Sequence, residues 1–282
     1  MTSVTARRWL HRLPLYAVLT LCSAVLLFPL YVTFADSLHP ITEFLRDPPP
    51  SLWPFSNPQW DNYFSGGGST GGPGVGRYLV NSIVVATIIT LGQLVTSTLA
   101  AYAFAFLRFP GRGVLFALFL GTMMVPLEVA IIPNFQTIQW LHWTDSYQGL
   151  VAPFLATGFG TFLLRQYFLT IPRELKDAAE IDGYGHGRFL VSVVVPLARG
   201  ALATLAVFAF LQAWNQYLWP LLVTNDPDMR TVQTGIRAEA QALDRINVAF
   251  ANTILAFLPM VLLVVAFQRY LVRGLFGGSV KG

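Results

Sequence analysis

The chain has 282 residues and a net charge of +4, and 54% of its residues are hydrophobic while only 11% are charged. Soluble globular proteins carry roughly 25% charged residues, so this chain has too few charges to cover a water-exposed surface. The positive charge does not indicate a nucleic-acid-binding protein, because the basic residues are not clustered on one soluble segment.

Long apolar windows are spread along the chain, and five of them contain no charged residue. Each can hold the roughly 20 residues that span a bilayer as an α-helix. The windows are apolar on every side, whereas the strands of a membrane barrel alternate between apolar and polar residues. The sequence therefore predicts an all-α membrane protein with six transmembrane helices, at about 13–35, 79–105, 113–135, 147–169, 198–222 and 248–270.

The first predicted helix contains the only cysteine, Cys22, so one chain cannot form a disulfide framework. The longest polar segment, 36–77, follows it and contains seven prolines and seven glycines, including the glycine-rich run 66–74. Such a composition predicts an irregular connection rather than a further helix.

The third predicted helix, 113–135, contains one charged residue, Glu128. A carboxylate in the middle of a membrane helix costs roughly 2.5–3.5 kcal/mol, so Glu128 should face the interior of the helix bundle or a water-filled path. Pairing with a residue of another subunit and a place on a polar path through the membrane would each explain this residue.

The segment 171–196, between the fourth and fifth predicted helices, carries a short amphipathic helix. Pro172 suits its first turn, Glu174 favours its positive end, and Gly183 permits a sharp exit. Three residues at helical spacing share one face: Leu175, Ala178 and Ala179. The small residues on this face would allow the surface of another protein to approach closely.

Aromatic and amide side chains mark the outer end of the fifth predicted helix: Trp214, Asn215, Gln216 and Trp219. Such groups suit a hydroxyl-rich ligand, and anchoring at the membrane interface would explain the tryptophans equally well. The next polar segment, 222–248, has mixed charges and could reach a soluble partner.

The charges on the predicted connections are distributed asymmetrically. With a cytoplasmic amino terminus, the inside segments hold 13 basic and four acidic residues, and the outside segments hold five basic and nine acidic residues. This bias follows the positive-inside rule. It predicts that both termini and the segment 171–196 are cytoplasmic, and that the loops 36–77 and 222–248 are extracytoplasmic.

The sequence shows no catalytic or metal-binding signature. It lacks a phosphate-binding loop that ends in Gly-Lys-Ser or Gly-Lys-Thr, and its four histidines do not have zinc-ligand spacing. The chain is therefore predicted to be neither an enzyme nor a metal protein. An ion-coupled secondary transporter is an alternative class, but the inverted repeats that would support it are not detectable.

One motif gives a specific resemblance. Asp177-Ala178-Ala179, three residues, Gly183, nine residues and then Val193-Val194-Val195-Pro196 is similar to the EAA signature of ABC importer permeases. That signature reads Glu-Ala-Ala, three residues, Gly, nine residues, then Ile, any residue, Leu and Pro. Asp177 replaces the glutamate and valines replace the branched residues, so acidity, small size and branching are retained.

The resemblance extends over nearly the whole chain and is greatest to the carbohydrate-uptake, MalG-like permeases. Asn81-Ser82, Phe109-Pro110-Gly111 and the segment 268–275 are similar to this family. Within the family, the segments 124–129 and 214–222 are most similar to the second permease of glycerol-3-phosphate importers.

The resemblance implies a type I ABC importer permease fold and a multi-pass location in the bacterial plasma (inner) membrane. The implied partners are a homologous permease, a dimer of ATP-binding subunits that hold ATP and Mg, and an extracytoplasmic solute-binding protein. The implied solute is glycerol 3-phosphate or a glycerophosphodiester, with a sugar or oligosaccharide as the alternative. The residues implied to couple the permease to the ATPase are Glu174, Asp177, Ala178, Ala179, Gly183 and Pro196.

Overall fold

The computed structural model describes residues 3–44, 51–64, 73–242 and 245–276, with the side chains of 3–13, 127 and 269–276 left out of the description. Three segments named in the sequence analysis lie wholly or partly outside the described residues: the glycine-rich run 66–74, Asp244 in the segment 222–248, and the carboxyl-terminal residues 277–282. Within the described ranges the chain forms α-helices and short helical turns and no β-strand. The predicted all-α class is confirmed.

The helices of the first half of the chain are α1 (Ser3–Ser37), α2 (Ile41–Phe44), α3 (Val75–Phe106), α4 (Arg112–Thr122), α5 (Leu127–Trp140), α6 (Tyr147–Val151) and α7 (Gly158–Phe168). Those of the second half are α8 (Arg173–Ile181), α9 (His186–Phe189), α10 (Val195–Leu197), α11 (Arg199–Trp214), α12 (Leu218–Val223), α13 (Val232–Gln241) and α14 (Ile246–Phe276). Short 3-10 turns at Trp60–Tyr63, Ala152–Phe154 and Pro227–Met229 and a π-helical turn at Leu190–Val194 complete the described elements.

Three stretches of helix are long and apolar enough to cross a membrane: Pro14–Ser37, Val75–Phe106 and Ile246–Gln268. Two further pairs of helices pass the same test together but are bent. The first pair, Tyr147–Phe154 with Gly158–Phe168, bends by 46°, and the second, His186–Leu197 with Arg199–Trp214, bends by 80°. By length and composition, the described residues thus provide three crossings, or five if each bent pair crosses once.

The segment predicted as one helix over 113–135 is divided into α4 and α5 by a break at residues 123–126. Pro126 precedes α5 with extended backbone angles, φ −59° and ψ 138°. Proline has no amide hydrogen and disfavours helical geometry in the preceding residue, so α4 ends before it. Glu128 consequently lies in the first turn of α5 with an exposed side chain, not deep within a continuous helix.

The predicted fifth helix, 198–222, is also divided, because α11 ends at Trp214 and α12 begins at Leu218. Pro220 cannot donate a helical hydrogen bond to the carbonyl of Gln216, which favours the break. The segment 222–248, predicted as a loop, contains the 3-10 turn Pro227–Met229 and the helix α13.

Residues 1–68 together with 236–257 form one compact unit. Polar side chains fix its connections: Asn62 Nδ2 donates to the carbonyl of Ser37 at 2.8 Å, and Asn247 Nδ2 donates to Asn62 Oδ1 at 3.1 Å. The hydroxyls of Ser37 and Tyr63 share a hydrogen bond of 2.6 Å. Burial raises the pKa of Tyr63 above its ordinary value, although this hydrogen bond opposes the shift.

Residues 69–235 together with 258–282 form the second compact unit, whose centre is the packing of α3, α7 and α11. Gly160 of α7 allows a close approach to α3, because a Cβ atom at this position would overlap Ser97. Small residues at helix contacts are how membrane helices pack closely without a hydrophobic driving force between them.

Candidate functional site

The helix α8 is the predicted amphipathic helix, and its two ends are defined by local sequence. Pro172 precedes it with an extended ψ of 137°, and Glu174 lies in its first turn, where a carboxylate is favourable. At its end, the amide of Gly183 donates to Glu180 O at 3.1 Å and that of Tyr184 donates to Ala179 O at 2.8 Å. Gly183 has a left-handed φ of 76°, so the helix ends in a Schellman motif.

A cluster of buried residues, called here the α8 cluster, joins α8 to the rest of its unit. Its members are Ala101, Tyr102, Leu164, Phe168, Ile171, Ala179, Phe189, Leu190, Val194, Ala198, Ala201 and Leu205. The hydroxyl of Tyr102 shares a hydrogen bond of 3.0 Å with His186 Nδ1. The ring of Phe106, which packs on the cluster, meets Phe189 edge-on at 5.5 Å. A displacement of α8 would therefore be transmitted to α3, α7 and α11.

The outward face of α8 is exposed. Glu174, Ala178 and Ile181 have the spacing of one helix face and are all exposed, Ile181 to 87%. Ala179 faces the other way and is buried. The two alanines predicted to share a face thus have different surroundings.

Pro196 lies in α10, next to the 80° bend between the α9–α10 segment and α11. Pro196 has no amide hydrogen to donate to the carbonyl of Ser192. The π-helical turn Leu190–Val194 directly precedes α10, and both features favour a bend in the helix. The hydroxyl of Tyr167 donates to the carbonyl of Leu197 at 2.9 Å and ties the bend to α7.

The two predicted pathway tryptophans are buried side chains. Trp214 is 3% exposed and stacks on Phe210 at 5.8 Å. Trp219 is 2% exposed, and its indole nitrogen donates to the carbonyl of Gly149 at 3.1 Å. Packing inside the unit accounts for both, in place of an exposed position at the membrane interface.

The two amides between these tryptophans lie in the break between α11 and α12. Asn215 is exposed, and its Nδ2 donates to the carbonyl of Leu211 at 2.8 Å. Gln216 Oε1 is buried and has no hydrogen-bond partner within the described residues. The helix α12 contacts α5, so the structure brings this break together with the helix that carries Glu128.

Asn81 is a central residue whose contacts the sequence did not reveal. Its side chain is fully buried, and Nδ2 donates to the carbonyls of Asp228 at 2.7 Å and Arg230 at 2.9 Å. Its Oδ1 accepts from the hydroxyl of Tyr147 at 2.7 Å. The similarity of Asn81-Ser82 to the family was the only signal, because these partners are distant in sequence.

The described residues contain no group of three or more His, Cys, Asp or Glu side chains placed to hold a metal ion. The structure gathers the predicted coupling residues of 174–183 on α8 and its end, and it leaves Pro196 at the bend that follows.

Sequence comparison places this chain among transport permeases. Residues 93–277 match the family model of the binding-protein-dependent transport system inner membrane component. The chain is 41% identical over 267 residues to the sn-glycerol-3-phosphate transport system permease protein UgpE of Brucella abortus, covering 92% of this chain and 94% of the relative. It is 42% identical over 259 residues to the same-named protein of Yersinia enterocolitica, covering 89% and 91%.

Structural comparison gives the same fold. A chain in the crystal structure of a bacterial ABC transporter involved in the import of the acidic polysaccharide alginate superposes with a TM-score of 0.78. The match covers 96% of this chain and 98% of that chain at 21% identity. With the matched family model and these relatives, the chain belongs to the binding-protein-dependent transport system inner membrane components, the permeases of ABC importers.

Proposed function

We propose that this permease translocates glycerol 3-phosphate or a glycerophosphodiester by ATP-driven alternating access. The observation that supports this solute is the identity of 41–42%, over about nine-tenths of each chain, to two sn-glycerol-3-phosphate permeases. The alginate importer is only 21% identical, so its solute does not bear on this chain.

In this proposal the chain crosses the membrane six times and both termini are cytoplasmic. The three long helices and the two bent pairs would supply five crossings, and α4 with α5 would supply the sixth. The charge asymmetry of the connections supports this orientation. It puts α8 in the cytoplasm and the turn Pro227–Met229 outside.

The ATP-hydrolysing partner subunits would dock on α8. Its exposed face offers a carboxylate at Glu174, a small residue at Ala178 and an apolar side chain at Ile181. Its opposite face is held by Ala179 in the α8 cluster. A short helix that is packed on one face and exposed on the other can transmit a movement of the docked ATPase to the permease. ATP and Mg would be bound by the partner subunits.

Transport would follow from movement of two homologous permeases against each other. Closure of the ATPase dimer would draw their α8 helices together, and the α8 cluster would carry the movement into α3, α7 and α11. Such a transition requires contacts that differ between the inward-open and outward-open states. Docking of the ATPase on α8 would provide them at the cytoplasmic side.

The solute path would pass the two breaks, at 123–126 and at 215–217. Asn215 offers an exposed amide, Gln216 an unpartnered acceptor and Glu128 an exposed carboxylate. A phosphate is usually bound by Arg, Lys or a helix amino terminus, and neither break carries a basic residue. The homologous permease would supply the cation, or the binding protein alone would select the solute.

Reconstitution tests the solute directly. The complete transporter, incorporated in vesicles with ATP and its binding protein, should accumulate radiolabelled sn-glycerol 3-phosphate and its diesters. Vesicles without ATP or without the binding protein serve as controls and should not accumulate them. Accumulation of maltose with no uptake of glycerol phosphates would contradict the proposed solute and leave the family assignment standing.

A further inference from the structure

An open pocket of about 330 Å³ lies between the turn that joins α3 to α4 and the helix α8. This volume is within the range of roughly 300–1,000 Å³ for small-ligand sites. Its walls include the apolar end of α3. The charged side chains that line it are Arg108, Arg112, Arg173, Lys176 and Asp177.

Among the described residues, the arginines of this pocket have no acidic partner, although Asp177 also lines it. In the part of the chain that the structure describes, Arg108, Arg112 and Arg173 have no carboxylate oxygen within 4.0 Å. Only Lys176 is paired, with Glu180 at 3.1 Å. Arg165 lies near Arg112 and adds to the positive potential. An uncompensated cluster of this kind attracts anions.

The geometry of the cations suits phosphate oxygens. A guanidinium presents several N–H donors in a planar fork that matches phosphate, and a lysine adds a compact charge. One of these cations is already oriented, since Arg112 Nη1 donates to the carbonyl of Leu107 at 3.0 Å. Less side-chain freedom would then be lost when an anion binds.

The surroundings favour a lipid over a free anion. The helix α4 begins at Arg112, which lines the pocket, and it exposes apolar side chains along its length, including Val114 at 66% and Leu118 at 64%. A lipid whose acyl chains lie along this face would place its headgroup at the first turn of α4. Basic pockets between membrane helices bind lipid headgroups in this manner.

Apart from Asp177, which is also one of the implied coupling residues, the pocket uses a different side of α8 from the proposed ATPase-docking face. Arg173, Lys176 and Asp177 are spaced to share one side of the helix. Glu174, Ala178 and Ile181 are spaced to share another side. A bound ligand and a docked ATPase could therefore occupy α8 together.

We propose that this pocket binds the phosphate of an anionic phospholipid headgroup, for which phosphatidylglycerol is the probe. The bound lipid joins the α3–α4 turn to α8 and holds the coupling helix at the membrane surface. Free inorganic phosphate shares the binding chemistry but lacks the acyl chains that α4 would accommodate. The inference does not depend on which solute is transported.

Native mass spectrometry of the complete transporter in detergent tests this site. The complex is titrated with phosphatidylglycerol, with phosphatidylcholine, and with phosphatidylglycerol in excess inorganic phosphate. The test variant combines Arg108→Gln and Arg173→Gln, since neither side chain has a hydrogen bond or ion pair to another described residue. The matched control is Arg199→Gln, an exposed arginine outside the pocket.

The wild type and Arg199→Gln should prefer phosphatidylglycerol over phosphatidylcholine, and the double variant should bind it at least about tenfold more weakly. Inorganic phosphate should not displace the lipid. If the double variant fails to assemble, Arg108→Gln alone should show the same direction of change, because Arg108 lies outside α8.

Three outcomes would overturn the proposal. The first is equal binding of the two lipids by the wild type, or undiminished phosphatidylglycerol binding by the variants. The second is displacement of the lipid by inorganic phosphate, which would identify a free phosphate site. The third is loss of the ATPase from the variant complex with unchanged lipid binding, which would mean that the pocket receives acidic groups of the ATPase.

Discussion

Gly183 ends α8 in a left-handed conformation, with φ 76°. A Cβ atom at this position would meet nothing within 4 Å, so crowding within the chain does not explain the glycine. The backbone conformation does, because a residue with a Cβ is destabilised there by roughly 1–2 kcal/mol, and asparagine is the best tolerated substitute.

We therefore expect Gly183→Val to weaken coupling far more than Gly183→Asn. Valine should loosen the Schellman motif and reduce solute-stimulated ATP hydrolysis by the assembled transporter several-fold, whereas asparagine should retain most of it. Membrane insertion and expression of both variants should equal those of the wild type. Equal ATP hydrolysis by the two variants would show that the left-handed conformation is not required.

Asn81 uses three hydrogen bonds to hold the turn Pro227–Met229 and Tyr147 against α3. All these groups would lose a partner on truncation of Asn81, and a buried polar group without a partner costs about 1–3 kcal/mol. From the sequence, Asn81 could be placed near the start of an apolar helix. It could not indicate carbonyl partners about 150 positions later.

Asn81→Ala should lower the thermal midpoint of the purified transporter clearly, and Tyr147→Phe should lower it less because only one hydrogen bond is lost. The double variant should resemble Asn81→Ala, since the two residues share a bond. Thermal unfolding in detergent measures all three. Fully additive effects of the two substitutions would contradict the hydrogen-bonded cluster.

At the scale of the element, α8 has two neighbouring alanines with opposite surroundings. Ala179 is 7% exposed and belongs to the α8 cluster, whereas Ala178 is exposed. The spacing of apolar residues predicted an amphipathic helix. It did not distinguish the alanine that packs in the core from the exposed one, because the two residues are adjacent and both lie close to the border between the polar and apolar faces of the helix.

Phenylalanine at each position should therefore have a different effect. Ala178→Phe should prevent the ATPase from co-purifying while leaving the thermal midpoint of the permease unchanged. Ala179→Phe should overpack the α8 cluster and destabilise the permease by about 1–3 kcal/mol. Co-purification and thermal unfolding, measured on both variants, separate docking from folding. A stable Ala178→Phe complex with normal ATPase content would contradict the proposed docking face.

The helix breaks show where prediction from composition ends. The helix α3 (Val75–Phe106) covers the whole apolar window predicted at 79–105. This window contains no proline, so it forms one unbroken helix. The break at 123–126 lies among Met123, Met124 and Val125, which are as apolar as the helices beside them. Hydropathy gives no information on backbone hydrogen bonding, so it cannot locate this break. The residue in the sequence that indicates it is Pro126.

At the scale of the whole molecule, the family and the helical class followed from the sequence, but the number of crossings depends on the bent pairs. An 80° bend between the α9–α10 segment and α11 fits either a broken crossing or a re-entrant segment. The charge bias supports a crossing. The basic residues Arg188 and Arg199 lie in the part of the bent pair up to and including the bend, whereas the acidic residues Asp226 and Asp228 follow its carboxyl-terminal end.

Single-cysteine labelling decides between these topologies. In a Cys22→Ser background, Asp182→Cys and Asp228→Cys place thiols at exposed positions before and after the bent pair. If the pair crosses the membrane, an impermeant maleimide added to right-side-out vesicles should label Asp228→Cys at once and Asp182→Cys only after permeabilisation. Inside-out vesicles are the control and should reverse the pattern. Labelling of both positions from the same side would mean that the pair is re-entrant, and six crossings with two cytoplasmic termini would no longer be possible.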